Sequence, residues 1–231
     1  MHPRRPSASR TQPSPRERTT CRRLPSCPGT STTSWSPPPD LAAAVELFER
    51  ATGVAPEAGG VHPTFGTRNY LVSFGGDAYL EILGADPENT TFTGTRPFRV
   101  DDARETAVAT WAAHPDDLDA VRARASDAGI DPGEAFDGQR RTGDGTLLRW
   151  RLTANLVEPS GVVPFLIDWG TTTSPAVSTK ARVTPVELVA SHPRPEEITP
   201  VLAAIGTDLE VRQGEPGLRL TVEGPAGRLT L

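Results

Sequence analysis

The stretch that decides the architecture is Asp40–Gly53, which reads DLAAAVELFERATG. Asp40 is a favourable N-cap, Leu41, Val45 and Phe48 recur at i, i+4 and i+7, and Gly53 supplies a stop. One amphipathic helix is expected here. The same pattern returns at Asp117, where Leu118, Val121 and Ala125 share a face and Gly129 ends the run. It returns again from about Pro195 through Ile198, Val201, Leu202 and Ile205 to Gly206. The terminating glycines lie 76 and 77 residues apart. Three similar helices at an even period mark an internal repeat.

The flanks agree. After the first helix come Asn69–Phe74 (NYLVSF) and Ala78–Leu83 (AYLEIL), separated by Gly75-Gly76-Asp77, which reads as a β-hairpin. After the second come a turn at Gly143-Asp144-Gly145, then Leu147–Thr153 (LLRWRLT) and Val162–Trp169 (VVPFLIDW). After the third come Leu209–Arg212, Leu218–Val222 and Arg228–Leu231. Short apolar strands, Val108–Ala113 and Val186–Ala190, precede the second and third helices. Each unit is strand, helix, then two or three antiparallel strands. The units span residues 40–100, 101–175 and, as a partial copy, 181–231, an α+β chain of repeated βαβββ modules.

Composition narrows the function. Apolar residues make up 36%, with 21 Gly and 24 Pro, which suits a turn-rich α+β protein. No run approaches the roughly 18 apolar residues of a membrane span, and nothing apolar follows Arg4-Arg5, so cytoplasmic residence is expected, with no membrane partner. Residues 1–27 carry seven Arg and one acid, so the net charge of −5 leaves the remainder at −11. That acidic body argues against a nucleic-acid partner. Both cysteines, Cys21 and Cys27, lie in the basic start, which leaves the body without a disulfide framework or a Cys-based metal site.

Residues 1–39 are rich in Pro, Ser, Thr and Arg and are expected to be disordered. The repeat nevertheless requires a strand before Asp40, where the sequence is TSTTSWSPPP. One reading is that the first module has lost this strand. The other comes from the genetic code: read two bases later, with G or C at third positions, Gly29–Pro38 encodes DLDHVVVAAP. Joined to Asp40-Leu41 this gives LDHVVVAAPDL, a strong strand running into the helix cap. Residues 1–39 would then be largely out-of-frame translation.

Three stretches carry a family resemblance: His62-Pro-Thr-Phe-Gly-Thr-Arg-Asn69, Tyr79-Leu-Glu-Ile-Leu83 and Pro164-Phe-Leu-Ile-Asp-Trp-Gly170. With the module repeat, residues 40–231 resemble the glyoxalase-like domain family of the vicinal oxygen chelate superfamily. The resemblance implies paired modules curled into an open, incomplete barrel around a small-molecule pocket, and a homodimer where modules complete one another across chains. It implies a lyase, isomerase or dioxygenase acting on an oxygenated substrate through an enolate-like state, or, alternatively, a non-catalytic binding or sequestering protein of the same fold. Metal-using members hold a divalent ion, here Zn, Ni, Fe or Mn, with His and Glu from the first and last strands of two modules.

Carried onto this chain, the resemblance makes Glu81 and Asp168 the last-strand ligands or acid/base groups, expected to face a common cavity. The first-strand His would straddle Thr32 and Thr33 in the shifted frame, and the matching site near Ala109–Thr110 supplies no imidazole. His62 is the third candidate catalytic residue, in a Gly/Pro-flanked loop, with solvation as the bland alternative. Thr67 and Asn69 are candidate donors to a substrate oxygen, or else satisfy the turn backbone. Arg149 is a candidate for a substrate carboxylate or an outward strand residue. Trp150 and Trp169 are candidate pocket walls. His114-Pro115 and His192-Pro193 read as helix entries, and Asp116, Asp117 and Asp119 as helix-start acids stabilised by the macrodipole.

Overall fold

The computed structural model describes residues 31–36, 40–102, 107–142, 145–154 and 160–231, without the side chains of 31–36 and Arg99. Cys21, Cys27, the turn residues Gly143 and Asp144, and the disorder expected at residues 1–30 and 37–39 lie outside the described residues.

The first module runs β1 (Ser31–Ser36), α1 (Leu41–Thr52), β2 (Glu57–His62), β3 (Thr67–Gly75) and β4 (Ala78–Ala85). The second runs β5 (Ala107–Ala113), α2 (Leu118–Asp127), β6 (Ala135–Arg141), β7 (Leu147–Thr153) and β8 (Phe165–Asp168). A short α3 (Pro175–Ser178) leads to β9 (Thr184–His192), α4 (Pro195–Ala204), β10 (Val211–Gln213), β11 (Gly217–Gly224) and β12 (Gly227–Thr230). The helix boundaries follow their capping chemistry. The Asp40 carboxylate accepts from the Ala42 and Ala43 amides at 3.0 and 3.1 Å, and Asp117 accepts from Ala120 at 2.9 Å. Gly53 closes α1 at φ 75°, a left-handed conformation that favours glycine.

In each of the first two modules the first strand pairs parallel with the last, giving β1-β4-β3-β2 and β5-β8-β7-β6. β1 and β5 then pair antiparallel, with Thr32 opposite Ala112 and Ser34 opposite Thr110, joining the modules into one sheet. That sheet curls until its outer strands meet, and Arg140 on β6 donates to the Gly59 carbonyl on β2 at 2.7 Å. The third unit repeats the element order but not the pairing, since β9 lies between β10 and β11. It packs within the chain: the Ala226 amide donates to Thr52 at the end of α1 at 2.9 Å, and Leu218 sits opposite Val108 of β5.

Two apolar layers result. On the outer, helix-covered face, Phe48, Val72, Leu80, Ile82, Trp111, Leu118, Leu166, Leu202 and Leu220 are buried together, each removed from water at about 1.5–3 kcal/mol for its aliphatic or aromatic surface. Trp111 also donates its indole N–H to the Val162 carbonyl at 2.8 Å. On the inner face, Leu71, Tyr79, Ala112, Leu148, Phe165, Ile167 and Trp169 form the second layer.

The disorder expected for residues 1–39 is corrected at Ser31–Ser36, where the strand that the repeat requires is found. This segment is a strand with β4 on one side and β5 on the other. The backbone rows of β4 and β5 both need partners, and any segment without proline can supply them. An interior strand usually reads as a near-continuous apolar run, whereas this one is STTSWS. Deleting residues 1–36 should therefore lower the thermal midpoint, by on the order of 10 °C if the loss is a few kcal/mol. Replacing residues 30–39 with DLDHVVVAAP should raise the denaturant midpoint above that of the chain as it stands, since buried aliphatic side chains contribute about 1.5–3 kcal/mol each before entropy is subtracted. Equal midpoints would count against the shifted frame.

Candidate functional site

Strand alternation builds the site. On β4, Tyr79, Glu81 and Leu83 face the hollow of the curled sheet while Leu80 and Ile82 face the helices. On β3, Thr67 and Asn69 face the same hollow, and on β8 Phe165 and Ile167 do so, followed by Trp169. On β6 the inward positions are Phe136 and Arg140, and on β7 they are Trp150 and Leu152. The cavity is about 340 Å³, at the small end of the roughly 300–1,000 Å³ of small-molecule sites. Phe65 and Phe136, 38% and 43% exposed, mark its mouth.

The walls are mainly apolar, and much of that surface is aromatic. Trp150 and Trp169 meet with centroids 5.4 Å apart and tilted, and Phe98 stacks on Phe165 at 5.5 Å. Gly138 makes the first contact feasible, because a Cβ there would lie 2.3 Å from the Trp150 Nε1. Phe98 holds a left-handed backbone (φ 57°, ψ 29°), which is costly for a bulky residue. A clip beside it fixes that loop: Arg96 pairs with Asp101 at 2.6 Å, donates its backbone amide to the same carboxylate at 2.8 Å, and donates Nε to the Gly66 carbonyl at 2.8 Å. Those hydrogen bonds hold the Asp101 carboxyl below its ordinary range.

Polar groups gather on β2, β3, β4 and β6. His62 Nδ1 and Thr67 Oγ1 lie 3.1 Å apart. Asn69 donates Nδ2 to Glu81 Oε1 at 2.5 Å. This fixes the amide orientation and leaves the buried Asn69 Oδ1 without a hydrogen-bond partner, turned toward Gly59, where a Cβ would lie 2.3 Å away. Burial pushes the His62 imidazole below its ordinary value. The Glu81 charge opposes that shift and the Arg140 guanidinium adds to it.

Of the residues expected from sequence, His62, Thr67, Asn69, Glu81, Trp150 and Trp169 come together around this cavity. Two do not. Asp168 is corrected: it stands between the inward Ile167 and Trp169, pairs in register with Arg151, and accepts from the Gly170 amide at 2.7 Å. Glu81 and Asp168 therefore lie on opposite faces. Arg149 is corrected by the same parity, being exposed beside the inward Trp150. His62 closes β2 instead of sitting in a loop. Arg140 was missed. The available signal was the Arg140-Arg141 pair at the end of β6, where alternation must turn one of the two inward.

The donor set does not fit a divalent ion. Glu81 has one oxygen engaged by Asn69, the His62 Nδ1 is engaged by Thr67, Asp168 is on the far face, and Arg140 brings a positive charge to the site. Among the described residues no group of three or more His, Cys, Asp or Glu could hold a metal.

Residues 37–206 match the family model described as a glyoxalase-like domain. The chain belongs to the glyoxalase-like domain family. That places it in the vicinal oxygen chelate superfamily, in keeping with its open βαβββ sheet. Among solved structures it resembles a hypothetical protein from Staphylococcus aureus, with 14% identity over 87% of this chain and 84% of that one and a TM-score of 0.56. It is also similar to methylmalonyl-CoA epimerase from Mycobacterium tuberculosis (19% identity, 62% of this chain and 87% of that, TM-score 0.40). A third is the Mn(II)-bound glyoxalase from Novosphingobium aromaticivorans (13%, 81% and 62%, TM-score 0.43). No curated protein matches significantly. No described helix is long and apolar enough to cross a membrane.

The lowered His62 value has a consequence for stability. The fold favours the neutral ring, so its contribution is complete above the unfolded value near 6.5 and is lost as pH falls from there through the lower folded value. Urea midpoints should drop more between pH 7.5 and pH 5.5 for the native chain than for His62→Gln. The difference should not exceed about 1.4 kcal/mol per pH unit for one proton. Parallel decreases in the two proteins would show that His62 is not the titrating group.

Proposed function

We propose that this glyoxalase-like protein is a small-molecule enzyme of the isomerase or lyase type, in which Glu81 moves a proton at a carbon next to a carbonyl. The observation that carries this reading is the Glu81–Asn69 pair in an apolar cavity. A carboxylate held by one amide keeps its second oxygen free for a substrate C–H. The charge that develops on the substrate oxygen as an enolate forms lies in a site already containing the Arg140 guanidinium. A fixed positive group there stabilises that charge without reorganisation. His62, kept neutral, can accept or donate a proton at a neighbouring oxygen.

The dioxygenase type and the use of a divalent metal receive less support, because both call on a His/carboxylate donor set that the described residues do not supply. The second reading is a non-catalytic binder. It is favoured by the matching last strand of module two, where Phe165, Ile167 and Trp169 face the cavity with no acid or base among them.

Solvent-exchange measurements separate the two. NMR in D2O with a panel of small 2-oxo acids and ketones should show enzyme-dependent deuterium incorporation next to the carbonyl. Glu81→Gln should slow it by roughly 10²–10⁴-fold, the usual contribution of a general base. Exchange that survives Glu81→Gln would remove Glu81 from this role, and binding without any exchange would favour the binder.

A further inference from the structure

Arg140 spans the seam between β6 and β2, and its single hydrogen bond there, to a carbonyl, leaves most of its donors and its charge for the cavity. It is 6% exposed, lines the cavity, and has its guanidinium beside Gly60, where a Cβ would lie 2.8 Å from Nη1. Its hydrogen bond goes to the neutral Gly59 carbonyl at 2.7 Å. A guanidinium has five N–H donors and stays charged at any accessible pH. Burying such a charge beside a neutral acceptor is unfavourable, and an incoming anion offsets that penalty.

We propose that Arg140 is an anion anchor and that the ligand is an amphipathic monocarboxylate. Its acid group meets the guanidinium, and its aryl or branched-alkyl body lies among Trp150, Trp169, Phe98 and Phe165. A carboxylate matches the planar fork bidentately. A single anchoring cation, with the Glu81 carboxylate on the same cavity and His62 held neutral by burial, disfavours a doubly charged phosphate. The same guanidinium repels a divalent cation, so ligand retention is independent of metal. This proposal rests on the reading of the cavity as a small-molecule site.

The test uses the full chain, with 3-phenylpropionate and its neutral amide 3-phenylpropionamide as probes, followed by calorimetry and by the fluorescence of Trp150 and Trp169. The acid should bind about 10–100-fold more tightly than the amide, the worth of a charge-assisted hydrogen-bond pair. Arg140→Gln should bring the acid-to-amide affinity ratio down to about one, the ratio being read within the variant. Arg140→Lys should keep a reduced preference, because an ammonium cannot pair bidentately. If Arg140→Gln loses the native circular dichroism spectrum, the Arg140→Lys ratio decides in its place. Excess MnCl2 or EDTA should change neither affinity. Equal binding of acid and amide, binding of neither, an acid preference that Arg140→Gln or Arg140→Lys retains in full, or one that needs Mn2+ would overturn the anchor. An acid preference without any proton exchange would remove the catalytic reading and leave the anchor standing.

Discussion

Strand β1 hydrogen-bonds to β4 on one side and β5 on the other, and this double pairing makes two modules into one curved sheet. Parallel pairing of first and last strands within each module, and antiparallel pairing of β1 with β5 between them, place β2 and β6 at the ends of the two-module sheet. Curvature then brings those ends together at Arg140 and Gly59. Parity along every strand is set by this junction. With Thr32 opposite both Tyr79 and Ala112, the register commits Tyr79, Glu81 and Leu83 to one face and Leu80 and Ile82 to the other. A one-residue slip at β1 would exchange a cavity wall for a helix-packing surface.

The polar end of the site follows from the same closure. β2 contributes His62 and the Gly59 carbonyl, β3 contributes Thr67 and Asn69, β4 contributes Glu81, and β6 contributes Arg140. Where the ends of the sheet meet, backbone groups need partners from across the seam, and a long cationic side chain can satisfy one while its head remains at the cavity. Glycines at 59 and 60 allow this approach, because side chains there would collide with Asn69 or with the Arg140 guanidinium. These two glycines thus let β2 and β6 approach at the seam.

What the sequence revealed and what it hid have the same physical basis. Helices α1, α2 and α4 were legible because each has one apolar face and a glycine stop, with an aspartate cap on α1 and α2, and the hairpin β3–β4 because a Gly75-Gly76-Asp77 turn separates two apolar runs. β2 (EAGGVH) and β6 (AFDGQRR) were not, because end strands carrying glycine and polar residues lack both the alternation and the β-branched content that mark a strand. The module-one half of the site, His62, Thr67, Asn69 and Glu81, could be read because polar residues in an apolar neighbourhood stand out. Asp168 was assigned to the wrong face for a definable reason. In VVPFLIDW both faces of β8 are apolar, one against helices and one against the cavity, so the pattern contains no parity signal. Arg149 takes the outward of the two positions left open for it, in step with Arg151 on a strand that does alternate. The strand at Ser31–Ser36 was hidden by composition, and its place follows from topology alone.

The cavity wall also depends on a segment outside the sheet. Phe98 reaches Phe165 from a backbone conformation that a bulky residue adopts only under constraint, and the constraint is visible. Arg96 is tied to Asp101 through its side chain and its amide, to the Gly66 carbonyl, and to the face of Phe92, with its guanidinium 5.2 Å from that ring centroid. Gly66 is itself the turn between the short helix after His62 and the start of β3, where a Cβ would overlap Phe92. The loop that carries Phe98 is therefore anchored to the backbone that sets His62 and Thr67. The wall that faces a ligand's apolar body and the groups that face its polar end share one support. Strain at Phe98 is sustained by contacts within this loop and at its footing on Gly66, which ties the shape of the apolar wall to the placement of the proton-handling groups.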